Sequence, residues 1–315
     1  MKVLKELLRD DTAGDPISGL KWTHRSLRKL CKTLHRLGIH LTLPTISRLL
    51  RQCHYSLRTN RKRLANLRNP DRDRQFRYLT RMRHLYITRG WPVISVDTKK
   101  KELVGNFKNA GRCWRQRDRD VFDHDFPSWA EGRAIPTGVY DVEYGDGYVL
   151  VGTSHDTPAF TAAAIRHWWL DVGQRRYAGV RRLLIEADGG GATDRRKWGW
   201  KVALQGLADE FGLTITMTHY PSGASKWNPI EHRLFSHISA NWSGEPLVSY
   251  EMILKHIRTT RTEDGGRCRA RLDREPYPTG QGATPEKRAW VRLRPRSVNP
   301  QLNYTIRPHT HRDNC

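Results

Sequence analysis

The chain has 315 residues, with 56 Lys and Arg against 32 Asp and Glu, a formal charge of +24 and a pI near 10.3. Its 37% apolar and 28% charged content and its eleven Trp residues exclude a disordered chain. The charge selects polyanions as partners, nucleic acid ahead of acidic membranes or acidic proteins, and the Arg excess suits phosphate. No stretch approaches the ~20 apolar residues of a membrane span, and MKVLKELLRDD lacks the apolar run and cleavage site of a signal peptide. Five scattered cysteines (Cys31, Cys53, Cys113, Cys268, Cys315) with no CxxC pair and no HExxH pattern argue against a disulfide frame and a zinc site. A cytoplasmic, nucleoid-associated protein is expected.

In chain order, residues 21 to 54 predict two helices. Leu27, Leu30, Cys31, Leu34 and Leu37 recur at helical spacing, Thr23 is the expected N-cap, and Gly38 stops the run. Pro44 suits a first turn, and Ile46, Leu49, Leu50 and Cys53 form a second apolar stripe. Two such helices are compatible with a helix-turn-helix, with Thr45, Ser47 and Arg48 on the polar face of the second. Any small helical hairpin has the same periodicity; the following basic run, with Arg61, Lys62 and Arg63, favours DNA. NPDRDRQ (69–75) predicts a linker into a basic helix near 75–88.

From residue 91 strands and helices alternate. VISVD (93–97) predicts a strand, and ELVGNF (102–107) is expected to pair with it. GVYDVEY and GYVLVGT flank Gly145-Asp146-Gly147, a hairpin signal. Then come a helix over 158–172 opened by Thr157-Pro158, a buried strand RRLLIEAD (181–188), a helix over 197–211, a strand LTITMTH (213–219) and a helix near Asn228. A mixed sheet with helices on both faces follows. Residues 265–315, rich in Pro, Gly and Arg, predict an irregular extension. The expected domains are 1–66 (helix-turn-helix), 67–90 (linker and basic helix), 91–264 (catalytic) and 265–315 (basic extension).

Three carboxylates are placed for chemistry. Asp97 and Asp188 end strands, where ligands of open α/β sheets bind, and Glu231 lies in the first turn of a helix. Three carboxylates plus substrate phosphate suit Mg²⁺, and two ions roughly 3.5–4 Å apart can serve both the attacking and the leaving oxygen. Taken singly, Asp97 or Asp188 is more often a turn former or a helix cap, and Glu231 more often a partner of the helix dipole.

The strings around these acids carry more. VISVDTKKKELVGNFKNAG (93–111), HDFPSWAEGRAIPTGVYDV (124–142), VGTSHDTPAFTAAAIRHWW (151–169), LLIEADGGG (183–191) and HYPSGASKWNPIEHRLFSHI (219–238) resemble the DDE core of bacterial insertion-sequence transposases, closest to the Rhodopirellula type. The resemblance extends through RLDREPYPTG (271–280) and LNYTIRP (302–308) and upstream through the paired helices, and so covers most of the chain. It implies an RNase H-like α/β fold after an all-α helix-turn-helix domain, with Asp97, Asp188 and Glu231 as the three acids. It implies Mg²⁺ or Mn²⁺, two ions per site, as cofactor. It also implies double-stranded DNA (element ends and target) as partner, and a dimer or larger assembly on that DNA. Lys99, Lys100 and Lys226 are candidate phosphate contacts, and Trp227 a candidate for base stacking. Lys101 belongs to the same basic run. His219 and His232 flank the third acid, and Glu186 is a reserve ligand. The implied function is metal-dependent cleavage and strand transfer; a repressor without catalysis and a nuclease that only hydrolyses are the alternatives.

Overall fold

The computed structural model describes residues 3–4, 12–14, 21–23, 26–56, 71–224 and 227–309. Arg61, Lys62, Arg63 and Lys226 lie outside them. The chain divides into two units, Met1–Asn66 and Leu67–Cys315. No described helix is long and apolar enough to cross a membrane.

The first unit is not all-α as expected: an antiparallel pair, β1 (Thr12–Gly14) and β2 (Lys21–Thr23), precedes two helices, α1 (Leu27–Arg36) and α2 (Leu43–Gln52). Thr23, expected as the cap of α1, lies in β2 instead. The cap is Ser26, whose Oγ accepts from the Lys29 amide at 3.2 Å. After α1, Gly38 adopts φ +74°, the left-handed conformation that ends helices. Thr42 caps α2 and Pro44 sits in its first turn. Leu30, Leu34 and Ile46 are buried between the helices, which matches the two apolar stripes.

The second unit opens with α3 (Arg72–Thr88). Then come β3 (Val93–Thr98), β4 (Glu102–Val104), β5 (Gly132–Asp141) and β6 (Gly147–Gly152). Helix α4 (Pro158–Trp168) is prolonged by a π turn (Trp169–Gly173) and a last α turn (Gln174–Arg176). Strand β7 (Arg182–Ala187), helix α5 (Trp198–Phe211) and strand β8 (Thr214–His219) follow. A π turn (Glu231–Phe235) leads into α6 (Ser236–Asn241), and α7 is Tyr250–Thr259. The last elements are β9 (Cys268–Asp273), α8 (Pro285–Trp290), β10 (Leu293–Pro295) and β11 (Asn303–Ile306).

The strands join in the order β10-β11-β8-β7-β3-β5-β6-β9, with β4 on β5. β3, β7 and β8 are parallel neighbours, while β5 runs antiparallel to β3 and β6 to β5. An antiparallel meander followed by parallel strands is the RNase H-like mixed sheet. Alternate residues face opposite sides. On one side Ile94, Val96, Leu150 and Ile185 pack against Trp168 of α4 and Trp200 and Leu204 of α5. On the other, Val93 and Leu184 meet Tyr78, Met82 and Tyr86 of α3, and Val149 and Val151 meet Phe235, Ile238 and Ile253.

Two expectations are corrected. β4 pairs with the start of β5, Leu103 opposite Arg133, and not with β3, because the far edge of β3 is taken by β7. The described part of the expected irregular extension, residues 265–309, also carries regular elements. β9 lies parallel to β6, and β11 lies antiparallel to β8 with β10 outside it, so the tail supplies both edges of the sheet.

Candidate active site

Adjacent parallel strands explain how the first two carboxylates approach. In the β3–β7 register Ser95 faces Glu186, so two residues further on Asp97 comes level with Asp188. Asp188 sits just past β7, where its Oδ1 accepts from the Gly190 amide at 2.8 Å. Asp97 accepts from the Thr98 amide at 2.8 Å.

The third acid is placed by a polar pin. Ser95, on the same face of β3 as Asp97, donates its hydroxyl to Asn228 Oδ1 and accepts from the Ile230 amide at 3.2 Å. The Glu231 amide in turn donates to the Asn228 carbonyl at 3.1 Å. Asn228 is fully buried, and its Nδ2 has no hydrogen-bond partner among the described residues. Glu231 therefore begins its π turn docked against the strand that carries Asp97. π turns are frequent at functional sites.

The electrostatics follow from crowding. Burial, the charge of Asp188 and the nearby Glu231 push the Asp97 carboxyl up to about 8, against the opposing Thr98 amide. Among the described residues, no group of three His, Cys, Asp or Glu side chains is gathered tightly enough to hold a metal ion. The three acids are thus an open cluster in electrostatic contact, not a finished cage. Its donors are all hard oxygens, and its repulsion is of the kind a divalent cation relieves, so the residues fit Mg²⁺ or Mn²⁺.

Gly138 lies opposite Asp97 on β5. A Cβ there would stand 2.8 Å from Ile230 Cδ1 and 2.7 Å from Phe235 Cε1, both buried side chains flanking Glu231. Gly138→Ala is expected to push the Glu231 turn off the sheet, costing about 1–3 kcal/mol of stability. A displacement near 1 Å can cost about a hundredfold in rate, so turnover should fall further than folding, at unchanged DNA affinity. Thermal melts alongside cleavage rates check this, and wild-type turnover in the variant would refute the packing argument.

The other candidates divide. Glu186 is fully buried in an ion pair with Arg83 of α3, whose Nε donates to Oε1 at 3.0 Å, and is also bonded by Tyr220. His219 is fully buried, its Nδ1 2.9 Å from the Leu302 carbonyl and its Nε2 3.0 Å from that of Thr193; burial lowers its pKa. Both residues tie elements together and are occupied by those ties. Lys99 is turned inward, its ammonium 3.2 Å from Glu102 and 4.4 Å above the Trp242 ring, and burial lowers its pKa. That departs from the phosphate contact expected of it. Lys100 is exposed, while Lys101 pairs with Asp156 at 3.5 Å. Trp227 is 55% exposed, with Phe76 edge-on at 6.1 Å, and His232 is exposed. In the first unit Arg48 is exposed, and Thr45 and Ser47 are half-buried on α2. Ser95, Asn228 and Gly138 went unread in the sequence; the only hint was the NPIE string, which begins with Asn228.

Comparison with known proteins gives one family. Solved structures similar to the chain include a Mos1 transposase paired-end complex with the left transposon end, at 13% identity and a TM-score of 0.44. That match covers 81% of this chain and 68% of the other. Another is a Mos1 mariner paired-end complex with Mn, at 13% identity and 0.43, covering 80% and 68%. A third is a Mos1 strand transfer complex, at 14% and 0.42, covering 81% and 68%. Comparison with curated proteins finds no match. The model of the Rhodopirellula transposase DDE domain matches residues 3–308. With nearly its whole length matched, the chain belongs to the Rhodopirellula-type DDE transposase family.

Proposed function

We propose that this transposase binds the ends of a mobile DNA element and cuts and joins DNA at a centre formed by Asp97, Asp188 and Glu231. The observation that carries the reading is the approach of Asp188 and Glu231, acids remote in sequence, to the buried Asp97 carboxyl, which burial first and then their charges raise. Bound Mg²⁺ or Mn²⁺, two ions per site, would supply Lewis-acid activation and neutralise charge on the phosphodiester.

The chain's own part is positioning. The Thr98 and Gly190 amides each hold one carboxylate oxygen and so fix the rotation of Asp97 and Asp188. The Ser95–Asn228 pin holds Glu231 against them. Water attacks the phosphodiester at the element end and frees a 3′-hydroxyl, which then attacks a phosphodiester of target DNA and displaces its 3′ oxygen. Neither transfer needs a covalent protein intermediate. DNA affinity comes from Thr45, Ser47 and Arg48 on α2, from the basic run with Arg61, Lys62 and Arg63, and from Lys100, Lys226 and Trp227. Joining two ends requires at least a dimer on the DNA. Each phosphate neutralised steepens the slope of log K against log salt by about 0.9.

Asp97→Asn, Asp188→Asn and Glu231→Gln test this on a duplex bearing the element end. Each should lose Mg²⁺-dependent cleavage by about a thousandfold, several kcal/mol of transition-state stabilisation, at unchanged DNA affinity. Wild-type turnover in any one removes that residue from the site. A wild-type protein that binds the end and never nicks it would be a repressor instead.

A further inference from the structure

Beside the carboxylates lies a groove of about 770 Å³, formed by the first turns of α4 and α5 and by the 276–283 loop leading into α8. Asp156, at its rim, accepts from the Thr98 hydroxyl at 3.2 Å, on the face of β3 opposite the Asp97 side chain. On the Asp188 side, Lys197 Nζ donates to the Gly191 carbonyl at 2.8 Å. The groove therefore borders the loop that carries Asp188.

Its lining combines two chemistries. Pro158, Val202, Trp198 and Tyr277 give it an apolar floor, with Lys201 Nζ 4.5 Å over the Trp198 ring, and Lys197, Lys287 and Arg288 carry positive charge around it, while Arg196 pairs with Asp194 at 2.9 Å. Asp156 is the one acid among the lining residues, and Lys101 already pairs with it. The first turn of α5 opens here with no capping side chain. A Cβ on its Gly199 would meet nothing nearer than the Gln281 carbonyl at 3.7 Å, and the amides at such a helix start attract anions.

A double helix shows phosphate outward and hides the faces of its bases, so it would leave the apolar floor unused. A single strand offers both, phosphates for the cations and base faces for the aromatic rings. The volume is that of pockets that enclose small molecules, roomy for nucleobases and too small for a duplex. We propose that this groove holds an unpaired stretch of the DNA substrate as it leaves the carboxylates, with bases on Trp198 and Tyr277 and phosphates on Lys197, Lys287 and Arg288. The proposal rests on DNA being the substrate.

The test uses the full chain without metal, so that no cleavage intervenes. Two fluorescent probes are compared, a blunt duplex of arbitrary sequence and the same duplex with a thymidine tail on its 3′ or its 5′ end. Wild type should bind one tailed probe more tightly than the blunt one. The pair Lys287→Glu and Arg288→Glu, both exposed positions, should weaken the tailed complex about tenfold and leave the blunt complex unchanged. A 5-iododeoxyuridine in the tail should crosslink to Trp198 or Tyr277. Equal loss on both probes, no preference for a tail, or a crosslink elsewhere would overturn the groove while leaving DNA binding intact. Failure to bind either probe would sink the DNA reading itself.

Discussion

Asp97→Asn should melt at a higher temperature than wild type above neutral pH in the absence of metal, although it has lost cleavage. The Asp97 carboxyl rises from its ordinary 3.8 to about 8 in the folded chain. Below about 4 both folded and unfolded chains hold this proton, and the group is neutral to stability. Between about 4 and 8 the unfolded chain gives the proton up while the folded chain keeps it, so rising pH draws stability away. Above 8 the full penalty stands, because a buried carboxylate is then charged and is repelled by Asp188 and Glu231. An amide at 97 cannot ionise and still accepts from the Thr98 amide. The two melting curves should coincide near pH 4 and separate steadily to pH 9, by about 2–4 °C for each kcal/mol relieved. Divalent metal should reverse the order, stabilising wild type and leaving the variant little changed. If wild type and variant shift in parallel across this range, Asp97 is not crowded as described.

Local signals account for most of what the sequence disclosed. The Thr157-Pro158 helix start and the Gly38 stop each depend on a few adjacent residues and fall where the sequence puts them, whereas the hairpin signalled by Gly145-Asp146-Gly147 turns earlier, with β5 ending at Asp141 and Gly147 already in β6. Asp97 and Asp188 were visible as strand-end acids for the same reason, whereas their meeting depended on β3 and β7 being parallel neighbours. The tail shows the opposite case. In CRARLD the arginines point outward and only Cys268 and Asp273 at the two ends are buried, so the strand has a charged run's composition. What makes it a strand is β6, some 120 residues earlier. Likewise Arg294 and Pro295 read as breakers, yet they sit on the outermost strand, where Pro is tolerated. Helix α7 carries Tyr250, Ile253, Leu254 and Ile257 at helical spacing behind a Ser249 cap, and it went unassigned. Ser95 and Asn228 were illegible, since a serine in a strand and an asparagine before a proline mean little until they touch.

Arg83→Met should be the most destabilising single change next to the site. Glu186 is fully buried, and three bonds from Arg83 and Tyr220 hold its two oxygens. Arg83 Nη2 also donates to the Tyr220 hydroxyl at 2.7 Å, which closes a triangle between α3, β7 and the end of β8. Removing the guanidinium strands a charge two residues before Asp188. Loss of one partner of a buried pair costs about 3–5 kcal/mol; with the Arg83 side chain 32% exposed, water entry argues for the lower figure. Replacing both partners by apolar side chains, Arg83→Met with Glu186→Leu, should restore most of the loss, because no buried charge remains. Melting temperatures of the three proteins test the energetics, and their cleavage rates decide what Glu186 is. If the pair only braces the strand that carries Asp188, turnover returns with stability in the double variant. If Glu186 were itself a ligand, stability would return and turnover would not.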